Sequence, residues 1–566
     1  MPSLAWLRGI VGVLIVLAAV LTSGSHRGGS PAAADDTGDE EPAEEADPAE
    51  VAVGERLFLE TRFAQHFFRL SGGDVNASVP SDPVMDETVT TTAPLPGPFA
   101  GQSMNCRSCH LVDEHTGVAG GGNRTYADFA RRSPLPERLD GQPVTVRNAQ
   151  PLVNASLRRR AFVLHFDGEF ASVEDLVVET LLGRNLGWLP AERKTALAHV
   201  ARVIRKDDGT GDLAREFGGA YRVVLRGTDP GIPPELRLPR RFRLDVTRAS
   251  DREVVGVVAR LIAAYLRSLE FVRDETGAFN GSPYDTFLAK NDLPRAPAPG
   301  ESAAAYSRRL RALLGRLRHP RWVTPSDGSL RLHDQPFAFG ALELTGLEIF
   351  LAEPGAAPLS ASALRKGGVG NCVACHPAPS FTDFGLHNTG VAQSEYDAIH
   401  GRGRFAALFI PDRRARNAHV DAYLPATPDH PNARGPFRST PRASQPGLTD
   451  LGVWNVYANP DLPRPQLRLH ALLCEHLVCS PDDVLARAVA RFKTPGLRDL
   501  GHSAPYLHTG RADTLEAVLG LYAEFSARAR VGTMRNPAPE LKGMVLAGVD
   551  FAPLAAFLRA LNEDYE

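Results

Sequence analysis

Apolar positions along this chain recur mostly at helical spacing. Val51 to Arg69 (VAVGERLFLETRFAQHFFR) places them every third or fourth residue, the pattern of a helix with one buried face. Ser172-Val-Glu-Asp175 reads as a capping box with an acidic third position, opening a further helix. The same period predicts helices over Ala191 to Arg205, Asp251 to Leu269, Ser302 to Leu317, Leu342 to Leu351, Thr514 to Ser526 and Val549 to Asn562. Ser282 to Leu288 (SPYDTFL) reads as a turn leading into a short helix. Ser71 to Gly101 is rich in Pro, Ser, Thr and Asp and reads as loop. Gly117 to Gly122 is a flexible glycine-rich loop, with no Lys or strand-loop-helix pattern to make it a phosphate cradle. Arg402 to Pro465 is rich in Pro, Arg and Asn and shows little periodicity, as in stretches that wrap a surface or carry function. Strand patterns are scarce, so the expected fold is mainly α.

Candidate chemistry sits in two short turns. Cys372, Cys375 and His376 spell C-x-x-C-H, and Cys106, Cys109 and His110 spell it again upstream. That spacing is the attachment signature of a c-type haem. Two thiols in one turn can add to the two haem vinyl groups, and the adjoining His can reach the iron as its proximal ligand. Two copies account for four of the six cysteines, so two covalent haems are expected. A faint repeat supports modules of common design: Tyr126-Ala-Asp-Phe129 follows the first turn and Phe381-Thr-Asp-Phe384 the second. Cys474 and Cys479 are left over, and no His follows either at haem spacing. A short-loop disulfide suits an oxidising compartment; metal ligation with His476 is the alternative.

Length and charge narrow the picture. The 566 residues suit two to four domains. A net charge of -3 gives no global basic surface, which argues against nucleic acid as a partner. Asp35 to Glu50 is a strongly acidic run expected to be disordered. Arg8, the apolar run Ile10 to Leu21 and the small residues Pro31-Ala-Ala-Ala34 read as an export signal. Twelve apolar residues are short for a membrane span, though a retained N-terminal anchor is the alternative and the one route to a membrane. Export and covalent haem attachment both point to the periplasm.

The C-terminal region carries a more specific signal. Phe492-Lys-Thr-Pro-Gly-Leu-Arg498, Ser503-Ala-Pro-Tyr-Leu-His508-Thr-Gly510 and Thr514-Leu-Glu-Ala-Val518 closely resemble motifs of the di-haem cytochrome c peroxidase family, which includes the MauG-type enzymes. Arg147-Asn148, Asn154-Ala155, Phe166-Asp-Gly168, Ser282-Pro-Tyr-Asp285, Glu343-Leu-Thr-Gly346 and Phe381-Thr-Asp383 fit the same pattern more loosely. The resemblance implies two cytochrome c-like haem domains with long loops. It divides the chain into a signal peptide or anchor (1–34), an acidic linker (35–52), an N-terminal peroxidatic haem domain (53–290), an insertion or linker (291–340) and a C-terminal electron-transfer haem domain (341–566). It implies a calcium ion between the haems, held by Asn148, Ser503 and Pro505; the alternative for Asn148 is a turn cap. It places Tyr522 at the sixth-ligand position of the second haem, as in MauG-type enzymes, where peroxidases of the family have Met. A core Tyr, or ligation by Met534 or Met544, are the alternatives.

Departures from the family pattern bear on the first haem. Asp140 stands where the family has a distal His, with His115 the nearest alternative, so the resemblance implies an open or water-bound site. Phe166 replaces the bridging Trp. The family's peroxide-pocket Gln and Glu have no clear match in Leu176 to Trp188, where Glu179 is the sole carboxylate. His508 matches the family's His and is either catalytic or a structural residue satisfied by backbone or propionate. The reading is an exported peroxidase-like oxidoreductase. It takes hydrogen peroxide, with a small cytochrome or cupredoxin as electron donor, or with a protein or organic substrate. The alternatives are a haem dioxygenase of an organic substrate and a non-catalytic di-haem electron carrier.

Overall fold

The computed structural model describes residues 47–77, 105–106, 109–110, 135–136, 138–157, 159, 161–331, 333–356, 358–474 and 478–564. The export segment, the acidic run, the glycine-rich loop and His115 lie outside them. Helices dominate. Among the described residues one two-stranded ladder occurs, Leu386–His387 antiparallel to Phe492–Lys493, and no helix is long and apolar enough to cross a membrane.

The N-terminal half packs around helix Asp251–Ser268. Ser250 caps it and Glu253 reciprocates, a capping box. Val254, Val258, Leu261, Ile262 and Tyr265 are among its buried residues, and Ala49–Leu59, Val173–Leu181 and Arg193–Lys206 pack against it. Gly54 permits the first of these contacts, because a methyl there would collide with the Leu261 carbonyl. The helix expected over 51–69 is two, Ala49–Leu59 and Gln65–Leu70. The break is polar. Glu60 turns inward to meet Arg62 at 2.7 Å and the Tyr221 hydroxyl at 2.9 Å, while Asp207 takes Arg56 at 3.1 Å and Arg62 at 3.0 Å. Burial opposes the Glu60 charge, but Arg62 outweighs it and lowers the pKa.

A second core surrounds the second C-x-x-C-H turn. Helix Ala341–Leu351 lies on Phe551–Arg559, with Gly346 pressed against the Pro553 carbonyl. The stretch 291–340, expected as an insertion or linker, is built into this core. Helix Ala303–Leu314 buries Tyr306 and Leu310, and Val323 and Phe339 join them. The Ser307 hydroxyl accepts the Ala378 N–H at 3.0 Å, which ties the helix to the loop after the second turn. Arg498 locks two of the sequence motifs together: it forks onto Asp285 at 2.8 and 2.9 Å and reaches Glu563 at 3.1 Å. Burial pushes the Glu563 carboxyl up to about 8.

A third core gathers Phe405, Leu424, Phe437 and Trp454 from the stretch expected to lack regular structure. Two short helices occur there, Arg413–Ala418 and Val420–Tyr423. Buried polar side chains otherwise replace a backbone ladder. Arg416 donates to the carbonyls of Trp454 and Tyr457, and Asn455 donates to Phe437 at 2.6 Å. Cys474 and Cys479 are disulfide-bonded to each other, which removes them as metal ligands.

Candidate functional site

The two C-x-x-C-H turns have the same backbone geometry. In the first, the N–H groups of Cys109 and His110 return to the Cys106 carbonyl at 3.1 and 3.0 Å; in the second, those of Cys375 and His376 return to Cys372 at 3.2 and 2.8 Å. All four thiols are free of disulfides. Burial pushes the Cys106 and Cys372 thiols up to about 12. Each His is oriented alike: Nδ1 of His110 bonds the Gln150 carbonyl at 2.8 Å and Nδ1 of His376 the Phe381 carbonyl at 2.9 Å. A ring nitrogen held this way leaves Nε2 as the ligand atom. Burial lowers His110 to about 4 and also lowers His376, so both rings are neutral, the form that binds a metal. The residues fit two covalently held haems.

A cavity of about 900 Å³ runs from the first turn towards the second half of the chain. Cys106, Cys109 and His110 line one end; Ser380, Thr382 and Phe384, beyond the second turn, line another part. Asn148, Ser503 and Pro505 come together on its wall. The Asn148 side-chain N–H donates to the Pro505 carbonyl, and the Asn148 backbone N–H donates to the His508 carbonyl at 2.8 Å. Amide and carbonyl oxygens of this kind suit a hard cation such as calcium. Part of the roof comes from the third core, through Pro425, Pro431, Ala433, Arg434 and Arg438.

No protein-family model matches the chain. It is 26% identical over 195 residues to cytochrome-c peroxidase IdrP2 of Denitromonas iodatirespirans, covering 34% of this chain and 37% of that one. It is 27% identical over 208 residues to IdrP2 of Pseudomonas sp. (strain SCT), covering 36% and 38%. The chain thus spans little more than a third of the length of the curated relatives it matches. Over that third, this chain is similar to cytochrome-c peroxidases. Among solved structures, the diheme peroxidase BthA from Burkholderia thailandensis E264 aligns with a TM-score of 0.40 at 17% identity, over 92% of this chain and 87% of that one. A MauG-like protein associated with microbial copper homeostasis aligns with a TM-score of 0.37 at 15% identity, over 94% and 96%.

The positions at which this chain departs from the peroxidase pattern have definite surroundings. Asp140 lines the cavity but is engaged by Arg184, through Nε at 2.5 Å and Nη2 at 3.1 Å. Burial works against its charge and Arg184 outweighs that, lowering its pKa. Glu179 does not line the cavity. Val177 and Leu181 take the inner face of helix Val173–Leu181, so Glu179 points outward and pairs with Arg193 at 2.5 and 2.6 Å. Glu179 thus stands on the solvated face of its helix. Phe166 and His508 do meet, 6.1 Å apart edge to face, and His508 stacks on Phe492 at 3.7 Å. These rings form a chain of contacts between the two halves.

Tyr522 lies against the second turn. Burial, then the sulfurs of Cys375 and Cys372, push its hydroxyl upward. Met534 packs into the cluster of Phe525, Ala529 and Val391, which Tyr522 also borders, with its methyl against Gly390.

Sequence reasoning missed a buried ionic network beside Phe166. Arg147 pairs with Asp167 at 2.6 Å and with Asp450 at 2.5 Å. Arg438 pairs with Glu169 at 2.6 Å and approaches Asp167 at 3.6 Å. His165 Nδ1 joins Glu169 at 3.2 Å. Burial opposes the charge on Arg438, but Glu169 and Asp167 outweigh it and raise its pKa. His165 has φ 64°, in the left-handed region where a non-glycine residue is held at a cost. That strain was invisible in the sequence.

Proposed function

We propose that this protein is an exported di-haem oxidoreductase of the peroxidase type. It takes electrons from a small c-type cytochrome or cupredoxin and passes them to hydrogen peroxide. The observation that carries this reading is the pair of matching C-x-x-C-H turns, each with its His Nδ1 fixed on a backbone carbonyl, in a chain similar to cytochrome-c peroxidases. Cys106, Cys109 and His110 would hold one haem in an N-terminal peroxidatic domain. Cys372, Cys375 and His376, with Tyr522, would hold the other in an electron-transfer domain. Asn148, Ser503 and Pro505 would hold calcium between them. Haem supplies redox-active iron that accepts electrons and binds peroxide.

The chain's own groups then have distinct tasks. Arg184 keeps Asp140 engaged, so that carboxylate is not a competing ligand. With Glu179 facing outward, we assign the acid–base role to His165, one of the titratable groups on the cavity wall. Glu169 holds its Nδ1, and Nε2 is left to take a proton from peroxide and return it to the departing oxygen. Two donor electrons and two protons convert one peroxide to two waters. Phe166, His508 and Phe492 span the gap between the halves.

The test is steady-state peroxide consumption by protein carrying both haems, with a reduced cytochrome or cupredoxin. Two donors oxidised per peroxide support the proposal, as does a His165→Gln variant that keeps its haems but loses about 10²- to 10⁴-fold in rate. No donor oxidation above the uncatalysed rate overturns it in favour of an electron carrier. One observation favours a second reading: Leu176, Val177, Leu181, Leu186 and Ile262 give the cavity an apolar side. Oxygen uptake with an unsaturated organic substrate, and none of the peroxide chemistry, would establish a dioxygenase.

A further inference from the structure

Lys493 lines the cavity, half-buried, with no counter-ion among the described residues. It belongs to the short strand Phe492–Lys493, and its backbone N–H donates to the Phe166 carbonyl at 2.6 Å. Its side chain lines the cavity between the two C-x-x-C-H turns, alongside Thr494, Ser380 and Thr382. No ion pair or side-chain hydrogen bond engages its ammonium among the described residues.

The charge that does act on it is another cation. Burial, and then repulsion from Arg159, lower Lys493 to about 7, and burial lowers Arg159 to about 10. Arg159 meets no carboxylate either. Its Nη atoms donate to the carbonyls of Ala155, Leu157 and Val163 at 3.3, 3.2 and 2.7 Å, and its Nε is buried without a partner. The guanidinium lies over Phe162 and Phe384, 4.3 and 4.2 Å from the ring centres.

This differs from the other buried cations of the chain. Arg56, Arg62, Arg147, Arg438 and Arg498 each meet at least one carboxylate within 3.1 Å. Arg416, which meets none, spends Nε, Nη1 and Nη2 on side-chain and backbone oxygens. Two like charges taken out of water require an anion to offset their desolvation and repulsion. Each haem carries two carboxylates on its propionate arms, and the cavity that Lys493 lines is the one bordered by the first haem-attachment turn.

We propose that Lys493, supported by the neighbouring charge of Arg159, binds a haem propionate and, through that carboxylate, raises the reduction potential of the haem that bears it. This rests on the two-haem reading. The cationic pair stabilises the iron in its less positive, reduced form, so removing a charge favours the oxidised form.

The experiment is a potentiometric titration of both haems in fully loaded wild type, Lys493→Met, Lys493→Arg and Arg159→Gln, with haem content counted in each. Lys493→Met should lower one potential by the equivalent of a three- to tenfold change in the reduction equilibrium, up to about 59 mV for a one-electron couple. Lys493→Arg should restore most of it, and Arg159→Gln should move the same haem in the same direction. The haem that moves is the one whose propionate is held. Unmoved potentials in protein with two haems overturn this site alone. Wild-type potentials that follow added formate or phosphate also overturn it, because the occupant is then a free anion. Failure of the wild type to carry two haems overturns the reading beneath it. Should Lys493→Met fail to load, resonance Raman spectra of the unaltered protein decide: propionate bending bands at the position of unpaired carboxylates refute the site, and upshifted bands support it.

Discussion

Replacing Arg438 by Met keeps most of the length of the side chain and removes its charge from the network beside Phe166. Arg438 is 20% exposed, Glu169 15% and Asp167 not at all, so these charges are poorly screened by solvent. Removing one partner of a buried pair leaves the other uncompensated, which costs about 3–5 kcal/mol. That is a large part of the roughly 5–15 kcal/mol that holds a domain together. Glu169→Leu should cost a similar amount, since Arg438 would then keep only Asp167 at 3.6 Å. The double variant should cost less than the sum, with a coupling of about 1–3 kcal/mol. Burial opposes the Glu169 charge, yet Arg438 and His165 bring its folded pKa below the usual carboxylate range. A depressed folded pKa gives stability that is complete above the unfolded value of about 4.3 and is lost as pH falls towards the folded one. Arg438→Met weakens that depression, so wild type should keep its advantage over the variant from pH 7 down to about 4.3 and lose it as pH falls further. Urea unfolding, followed by Trp fluorescence at matched haem content, measures each of these. An Arg438→Met variant within 1 kcal/mol of wild type at pH 7, or single effects that add to within about 0.5 kcal/mol, would refute the reasoning.

Three further outcomes follow from the site. Cys106→Ala with Cys109→Ala should remove one haem mass from the exported protein, and Cys372→Ala with Cys375→Ala the other; intact mass checks both. Tyr522→Phe keeps the ring and loses the oxygen, so stability should change little while the second haem's ferric spectrum shifts towards high spin and its potential rises. An unchanged spectrum would make Tyr522 a packing residue and turn attention to Met534 and Met544. Chelation of calcium should alter the haem spectra and lower turnover, and Asn148→Ala should make the protein insensitive to the chelator.

How much of this was legible in the sequence depends on range. The C-x-x-C-H turns are local, closed by bonds within five residues, and their geometry follows from the motif alone. Helix Asp251–Ser268 was equally plain, because its period and its Ser250 cap both lie in the segment. Contacts across long separations were hidden. Arg147 and Asp450 are 303 residues apart, and nothing local marks Asp450 as a partner. Glu60 lies within a helical period, yet the chain breaks there so that Glu60 meets Arg62 and the Tyr221 hydroxyl while Arg62 also meets Asp207. The stretch 402–465 lacks periodicity because its buried side chains alternate with Arg and Asn that bond carbonyls, so burial there is not tied to a repeat. Glu179, two positions from Val177, belongs to the outer face of its helix, a matter of register.

The claim at the centre of the account is that the two haems are unlike, one open beside Asp140 and His165 and one closed by Tyr522. A low-temperature electron paramagnetic resonance spectrum of the ferric protein at pH 7 tests it most directly. The account predicts one high-spin signal and one distinct signal of a six-coordinate haem, in equal amounts, with Tyr522→Phe altering the second alone. Two low-spin signals that are both indifferent to Tyr522→Phe, or a signal from one haem only, would contradict it.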